Sequence, residues 1–257
     1  MSDPGAAISE AIRAADGPAL CAYVTAGYPD PATFGPILEA VAGTADVVEV
    51  GIPFSDPMAD GLTIQQASHV ALEHGTNLDF VFDLLGEVEL GSPHVLMGYY
   101  NPFLAYGLDR LVTRMADVGT SGLIVPDLPY EESGDLRTLL EAVGLGVVQL
   151  VAPTTPAERL AKLAGVSRGF VYAVTTKGTT GGAGEFDSGV LEYLDRVKAV
   201  SDLPVLAGFG VRERRHVEAL SAHVDGVVVG SALIDAIDAG EDPAAFLSGL
   251  RPVVVGQ

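Results

Sequence analysis

The chain has 257 residues, 48% of them hydrophobic and only 7% aromatic, so it is long enough to bury a large apolar core. That length suits one domain covering residues 1–257 better than it suits two. The formal net charge of −20 creates a field that repels nucleic acid phosphates and anionic membrane surfaces, so we expect neither as a partner.

Short apolar runs rich in Val, Ile and Leu recur along the chain, and Gly, Pro or Asp bounds each of them. They predict strands at residues 19–25, 46–50, 94–99, 122–125, 146–151, 170–174, 204–207 and 226–229. None alternates cleanly between polar and apolar residues, which is typical of parallel strands buried on both faces beneath helices.

Helical patterns separate these strands. Residues 31–42 follow Asp30, a predicted N-cap, and begin with proline. Residues 131–143 carry apolar side chains at helical spacing and end before Gly144, which suits the position just beyond a helix. Further helices are predicted at residues 187–200, 212–220 and 232–239. Because no linker interrupts this alternation, the sequence predicts an α/β fold, a closed single-domain (β/α)8 TIM barrel.

Two connections from strand to helix are unusually long, at residues 51–61 and 175–185. In a barrel these loops lie at the C-terminal face, where active sites are built. We therefore expect the functional residues there.

Glu49 is a carboxylate inside the otherwise apolar strand DVVEVG. Burial of an unpaired carboxylate is costly and raises its pKa toward the range useful for proton transfer. The alternative is a carboxylate that points outward or that is paired structurally. We interpret Glu49 as a candidate acid/base group.

The following loop, GIPFSDPMADGLTIQQA, contains Asp56 and Asp60 among prolines and glycines that restrict its shape. Asp60 directly precedes a predicted helix, so a helix N-cap is an equally good interpretation from position alone. If both carboxylates face the barrel mouth, Glu49 and Asp60 suit acid/base chemistry or the binding of a ring N–H.

Three glycine-rich segments follow the last three strands: KGTTGGAG after strand six, AGFG at the end of strand seven and VGSA after strand eight. Glycines let the backbone approach phosphate oxygens, and a helix N-terminus offers unpaired N–H groups with a favourable dipole. Their placement after strands six, seven and eight predicts a phosphate site. Because the net negative charge of the chain opposes anion binding, we expect local backbone N–H groups to form that site. Turn glycines without a ligand are the alternative.

The sequence lacks the motifs of zinc sites and of dinucleotide-binding sites. The five histidines show no zinc-ligand spacing, so no metal is expected, and GFGVRE lacks the third glycine of a dinucleotide fingerprint. Cys21, the only cysteine, lies inside a strand and is interpreted as a small core residue. Tyr99 and Tyr172, near the ends of strands three and six, fit a pocket lining and core packing equally well. A single cysteine, with no apolar run of about 18 residues and no secretory signal, predicts a cytoplasmic protein.

The chain resembles the tryptophan synthase alpha chain family through motifs that occur in order from about Ala19 to about Ala239. The most specific is VEVGIPFSDPMADGLTIQ; the others are YVTAGYPD, YYNPFLAYG, PDLPYEES, GTTGG, GFGV and VVVGSA. The resemblance implies the aldol cleavage of indole-3-glycerol phosphate to indole and D-glyceraldehyde 3-phosphate, a lyase reaction of tryptophan biosynthesis. The alternative is a stand-alone lyase that releases free indole without a partner.

The resemblance also implies roles for particular residues. Glu49 matches the catalytic acid/base carboxylate, and Asp60 matches the carboxylate that holds the indole N–H. The implied substrate-binding residues are Tyr172, Tyr99, Gly178, Thr180, Gly181, Gly210, Gly230 and Ser231. Asp56 and Asn101 match positions that contact a beta chain in an α2β2 heterotetramer. Pyridoxal phosphate is implied only in that beta chain, so this chain is expected to need no cofactor.

The sequence departs from the family pattern at Leu62, Lys177 and Thr179. Leu62 stands where proline usually follows ADG, and the other two residues alter the loop after strand six. Lys177 leaves open a Schiff-base aldolase, since a lysine of lowered pKa forms an imine with a carbonyl. A non-catalytic phosphate-binding subunit is a further alternative, which the intact Glu49 and Asp60 disfavour.

Overall fold

The apolar runs form eight parallel strands in the computed structural model, which describes residues 4–175, 186–208 and 210–252. The strands are β1 (Ala19–Thr25), β2 (Val47–Gly51), β3 (His94–Met97), β4 (Gly122–Ile124), β5 (Gln149–Val151), β6 (Val171–Val174), β7 (Val205–Gly208) and β8 (Gly226–Val229). The predicted bounds of β1 and β8 are confirmed. The other bounds differ by a few residues, most at the start of β5, where the chain pairs with β4 through one bridge.

The strand order is β4-β3-β2-β1-β8-β7-β6-β5. The two outer strands meet where Leu123 forms a parallel bridge with Val147. The N–H of Leu123 donates to the carbonyl of Gly146 at 3.0 Å, and the N–H of Val148 donates to the carbonyl of Leu123 at 2.9 Å. These bonds bring the sheet edges together, so the predicted (β/α)8 barrel is confirmed.

Helices cover the sides of the barrel in the described part of the chain, and the first of them packs Ile8 and Ile12 into the interior core, with Ile8 near Gly122 and Gly169. They are α1 (Pro4–Ala14), α2 (Pro31–Ala42), α3 (Leu62–Glu73), α4 (Leu78–Glu87), α5 (Tyr100–Tyr106), α6 (Leu108–Asp117), α7 (Gly134–Ala142), α8 (Ala157–Val166), α9 (Ser188–Val200), α10 (Arg214–Leu220), α11 (Ser231–Asp238) and α12 (Pro243–Leu250). None of the helices described has both the length and the apolar character needed to cross a membrane.

The predicted helix α2 is confirmed with its cap, since the Asp30 carboxylate accepts a hydrogen bond from the Ala32 N–H at 2.8 Å. The helix predicted over residues 131–143 is present as α7, but its predicted start is wrong. A 3-10 turn at Tyr130–Glu132 comes first, and both the N–H and the hydroxyl of Ser133 donate to the Tyr130 carbonyl. That carbonyl is therefore bonded within the turn, and α7 starts at Gly134.

The core has two layers because successive strand residues face opposite sides of the sheet. One layer lies between the strands and the helices and includes Val48 and Val50. The other fills the barrel interior and includes Cys21, Val47 and Val95. Cys21 is fully buried, which confirms its interpretation as a core residue. Glu49 lies on β2 two residues after Val47, so it shares the inward face.

Candidate active site

A cavity of about 640 Å³ opens at the C-terminal end of the barrel. Its walls come from the strand ends and from the loops that follow them. The strand residues that line it are Tyr23, Glu49, Met97, Tyr172, Val174 and Val228. The loop and helix residues are Ala59, Asp60, Gly61, Leu62, Thr63, Ile64, Thr175, Gly210, Val211, Arg212, Gly230, Ser231 and Ala232. The cavity is therefore at the face where the sequence predicted function.

Glu49 lies on the wall of this cavity and is 0% exposed. Neither of its carboxylate oxygens has a hydrogen-bond partner among the described residues. Burial, together with the nearby negative charge of Asp60, raises the pKa of Glu49 to about 8. Among the described residues, Glu49 therefore neither points outward nor pairs with a structural partner.

Asp60 lies at the end of the long loop after β2 and also lines the cavity. Its Oδ2 accepts a hydrogen bond from the Tyr99 hydroxyl at 3.1 Å. Burial raises the pKa of Asp60, and the bond from Tyr99 opposes that rise. The N-cap of α3 is Gly61, and α3 receives no side-chain capping bond, so the N-cap interpretation of Asp60 is wrong.

Two tyrosines lie on the cavity wall, and strand-end glycines make room for their rings. Tyr172 on β6 lines the cavity, and a Cβ on Gly208 would overlap its ring. Tyr23 on β1 is paired in register with Glu49, and a Cβ on Gly51 would overlap its ring. Tyr99 does not line the cavity; it lies behind Asp60 and accepts a hydrogen bond from the Ala59 N–H at 2.8 Å.

The glycines predicted after strands seven and eight reach the same cavity. Gly210 has φ of 92°, which only glycine adopts readily, and Gly230 is the N-cap of α11. Ser231 is the first residue of that helix, so its N–H lies among the donors left without a partner inside the helix. Gly178, Thr180 and Gly181 lie outside the described residues, as do Lys177 and Thr179.

Sequence reasoning missed Tyr23, Thr63 and Arg212 as cavity residues. Tyr23 had a usable signal, because it precedes the end of β1 by two residues and shares the inward face with Cys21. Thr63 and Arg212 had none, because they lie in surface segments whose direction depends on the closed barrel.

Asp56 and Asn101 lie outside the cavity on two neighbouring connections, after β2 and after β3. Both are exposed, and Asp56 accepts a hydrogen bond from the Ser55 hydroxyl at 2.6 Å. Large apolar side chains are exposed close to each of them in sequence: Met58 is 84% exposed and Leu104 53%.

Across the ranges 4–175, 186–208 and 210–252, no three His, Cys, Asp or Glu side chains are arranged to hold a metal ion. An acid with a pKa near neutrality stands beside a second carboxylate, and backbone N–H groups at Gly210, Gly230 and Ser231 line the same cavity. This arrangement suits proton transfer to a phosphorylated substrate.

Comparisons with known proteins agree with this geometry. Residues 10–250 match the family model described as tryptophan synthase alpha chain. The tryptophan synthase alpha chain of Nitratidesulfovibrio vulgaris is 44% identical over 238 residues, covering 91% of this chain and 93% of that protein. The one from Solidesulfovibrio magneticus is 46% identical over 247 residues, covering 95% and 96%.

Solved structures give the same result. A chain of tryptophan synthase from Mycobacterium tuberculosis, in its aminoacrylate-bound form, superposes with a TM-score of 0.86 at 35% identity, covering 97% of this chain and 98% of that one. A chain of the tryptophan synthase α2β2 complex from Pyrococcus furiosus superposes with a TM-score of 0.84 at 36% identity, covering 91% and 98%. The chain therefore belongs to the tryptophan synthase alpha chain family.

Proposed function

We propose that this chain is the alpha subunit of a tryptophan synthase and cleaves indole-3-glycerol phosphate to indole and D-glyceraldehyde 3-phosphate. Family membership supports the reaction, and one observation carries the assignment of roles. Glu49 is a fully buried carboxyl group without a hydrogen-bond partner among the described residues, and it lies in a cavity beside Asp60. Burial of such a group costs stability, so we infer that its role is chemical.

Glu49 is the general acid/base of the proposed reaction. Its pKa of about 8 keeps it protonated near neutral pH, so it can donate a proton to C3 of the indole ring. The resulting carboxylate accepts the proton of the hydroxyl on the adjacent side-chain carbon. The carbon–carbon bond then breaks, its electron pair returns to the ring, and the hydroxyl carbon becomes the aldehyde. Glu49 ends protonated, so the proton balance closes.

Asp60 holds the indole N–H. Protonation at C3 places positive charge on the ring nitrogen, and a carboxylate at hydrogen-bond distance stabilises that charge. The bond from Tyr99 favours the ionised form of Asp60. The two carboxylates thus have different duties: burial keeps Glu49 protonated, whereas the bond from Tyr99 opposes the rise that burial causes in the pKa of Asp60.

The phosphate end of the substrate is held where the loops after β7 and β8 line the cavity. We assign the phosphate to backbone N–H groups at Gly210, Gly230 and Ser231, where a glycine turn and the N-terminus of α11 line the cavity. Gly178, Thr180 and Gly181 are also assigned to substrate binding, because they lie in the GTTGG motif, which resembles that of the family. Tyr172 contacts the substrate from the cavity wall, and Tyr99 acts on it through Asp60.

We propose that the chain works in an α2β2 heterotetramer with a beta chain, as do the complexes among its solved neighbours. Asp56 and Asn101 belong to the exposed surface assigned to that partner. Pyridoxal phosphate is assigned to the beta chain, since Glu49 supplies both proton transfers of the cleavage and Asp60 stabilises the charge on the ring. The complex is proposed to act in the cytoplasm.

An assay of indole release from indole-3-glycerol phosphate, with the purified chain alone and with a beta chain, tests this function. We expect weak activity alone, a large increase with the partner, and near-abolition in Glu49→Gln. High activity alone without any partner effect would make the chain a stand-alone lyase. Absence of cleavage under both conditions would refute the enzymatic assignment.

A further inference from the structure

Arg212 brings a positive charge to the rim of the cavity. It follows Gly210 in the loop after β7, and of the described residues that line the cavity it is the only lysine or arginine. The chain carries 34 acidic and 14 basic residues, so its overall potential is negative, and Arg212 provides a local positive charge at the cavity. An anionic substrate that enters the cavity meets this side chain on the same rim as Gly230 and Ser231.

The guanidinium of Arg212 forms an ion pair with Asp235 on α11. The side chains of Arg212 and Asp235 stay 45% and 40% exposed, so water screens the pair. Exposed ion pairs of this kind add little stability, and a stronger anion can replace the carboxylate. Asp235 keeps another partner in that event, because its Oδ1 also accepts a hydrogen bond from the Thr63 hydroxyl at 3.3 Å.

The backbone of Arg212 is held independently of its side chain. Its N–H donates to Nδ1 of His216 at 3.0 Å, and the His216 ring packs edge-on against Phe186 with centroids 6.0 Å apart. Burial lowers the pKa of His216, which favours the neutral ring that this acceptor role requires. The loop therefore keeps its position while the long side chain changes partners.

We propose that Arg212 is a further substrate-binding residue, which leaves Asp235 and pairs with the phosphate dianion of the substrate. A guanidinium matches phosphate geometry with parallel N–H donors, whereas the backbone groups of Gly210 and Ser231 supply single ones. In the free chain Asp235 keeps the guanidinium at the rim and adds a negative charge that weakens phosphate binding. This proposal rests on the proposed function for the identity of the substrate.

Substitution of each residue of the ion pair tests the proposal, because the two substitutions should change phosphate binding in opposite directions. Arg212→Gln should weaken binding of inorganic phosphate, measured by calorimetry, and raise KM for indole-3-glycerol phosphate, each about tenfold, with little change in kcat. Asp235→Asn should strengthen phosphate binding and lower KM, because it releases Arg212 and removes a negative charge. KM of the wild type should rise with salt more steeply than KM of Arg212→Gln.

The controls separate binding from structure. Both variants break the same ion pair, so a purely structural role would shift phosphate binding in the same direction in both. Arg110→Gln breaks the exposed Arg110–Asp79 pair outside the cavity and should leave phosphate binding unchanged. Unchanged phosphate binding in Arg212→Gln, or equal weakening in both variants, would overturn the proposal. If the wild type binds phosphate but cleaves no substrate, the proposed function fails while the phosphate titration still decides the role of Arg212.

Discussion

The hydroxyl of Tyr99 donates a hydrogen bond to Oδ2 of Asp60 at 3.1 Å and accepts one from the Ala59 N–H at 2.8 Å. Tyr99, which lies two residues after β3, thus hydrogen-bonds both the backbone of the loop that carries Asp60 and the Asp60 carboxylate. The Gln65 amide adds a bond to the Asp60 carbonyl at 2.8 Å. Hydrogen bonds to the preceding N–H, to the carboxylate and to the carbonyl of Asp60 therefore fix its position in the cavity.

Tyr99→Phe should lower kcat/KM about tenfold and reduce the free energy of unfolding by about 1 kcal/mol, because it removes two hydrogen bonds. The pKa of Asp60 should rise further once the bond that lowers it is lost. Since the proposed mechanism needs ionised Asp60, the acid limb of the kcat/KM profile should move to higher pH. Tyr106→Phe removes a similar bond to the exposed Asp79 and serves as the control. An acid limb that stays in place in Tyr99→Phe would contradict this role.

Asp60→Asn should lower kcat/KM about 10²- to 10³-fold, because the ring nitrogen loses the charge that stabilises it. It should also lower the pKa of Glu49 from about 8, since the charge of Asp60 is one cause of the raised value. The alkaline limb of the kcat/KM profile, set by loss of the Glu49 proton, should then move to lower pH. Asp117→Asn makes the same charge change on the exposed surface of α6 and should leave the limb unmoved. An unshifted limb in Asp60→Asn would show that the two carboxylates are uncoupled.

Glu49 should make folding stability depend on pH. Its pKa rises from 4.5 in the unfolded chain to about 8 in the folded one. Below the lower value both states are protonated and there is no penalty. As pH rises toward the upper value, the unfolded chain releases a proton that the folded chain keeps, so stability falls, by at most about 5 kcal/mol.

Glu49→Gln should abolish this dependence. Urea unfolding of the two proteins between about pH 5 and about pH 9 should show the variant gaining stability relative to the wild type as pH rises. The same variant should lose nearly all activity, so stability and function should change in opposite directions. A constant difference in unfolding free energy across that range would mean that Glu49 is not buried in the protonated form.

Gly208→Ala should displace the Tyr172 ring, because a Cβ at that position would overlap it. We expect a loss of about 1–3 kcal/mol in the free energy of unfolding from overpacking, together with a lower kcat/KM as the ring moves into the cavity. Gly165→Ala is the matched control, since no atom would lie within 4 Å of its Cβ on α8. It should be neutral or slightly stabilising. Full activity in Gly208→Ala would show that the position of Tyr172 is not critical.

The strand pattern and the location of the cavity were predictable from the sequence. Parallel strands buried on both faces are largely apolar, so the ends of the apolar runs predicted the ends of β1 and β8 correctly. The start predicted for the helix at residue 131 is wrong because Ser133 bonds the Tyr130 carbonyl in a turn, and α7 begins only at Gly134. Periodicity reports which face is buried and does not report such a break.

Glu49 was recognisable in the sequence because a carboxylate within an apolar strand has a large desolvation cost wherever that strand lies. Its coupling to Asp60, the contact between Tyr99 and Asp60 across 39 positions, and the place of Arg212 beside Asp235 were decided only by the tertiary structure. These contacts join segments that are distant in the chain, and the closure and register of the barrel determine which of them meet. Local sequence determines what each strand and helix buries, whereas pairing between elements determines the partners, the pKa values and the chemistry of the site.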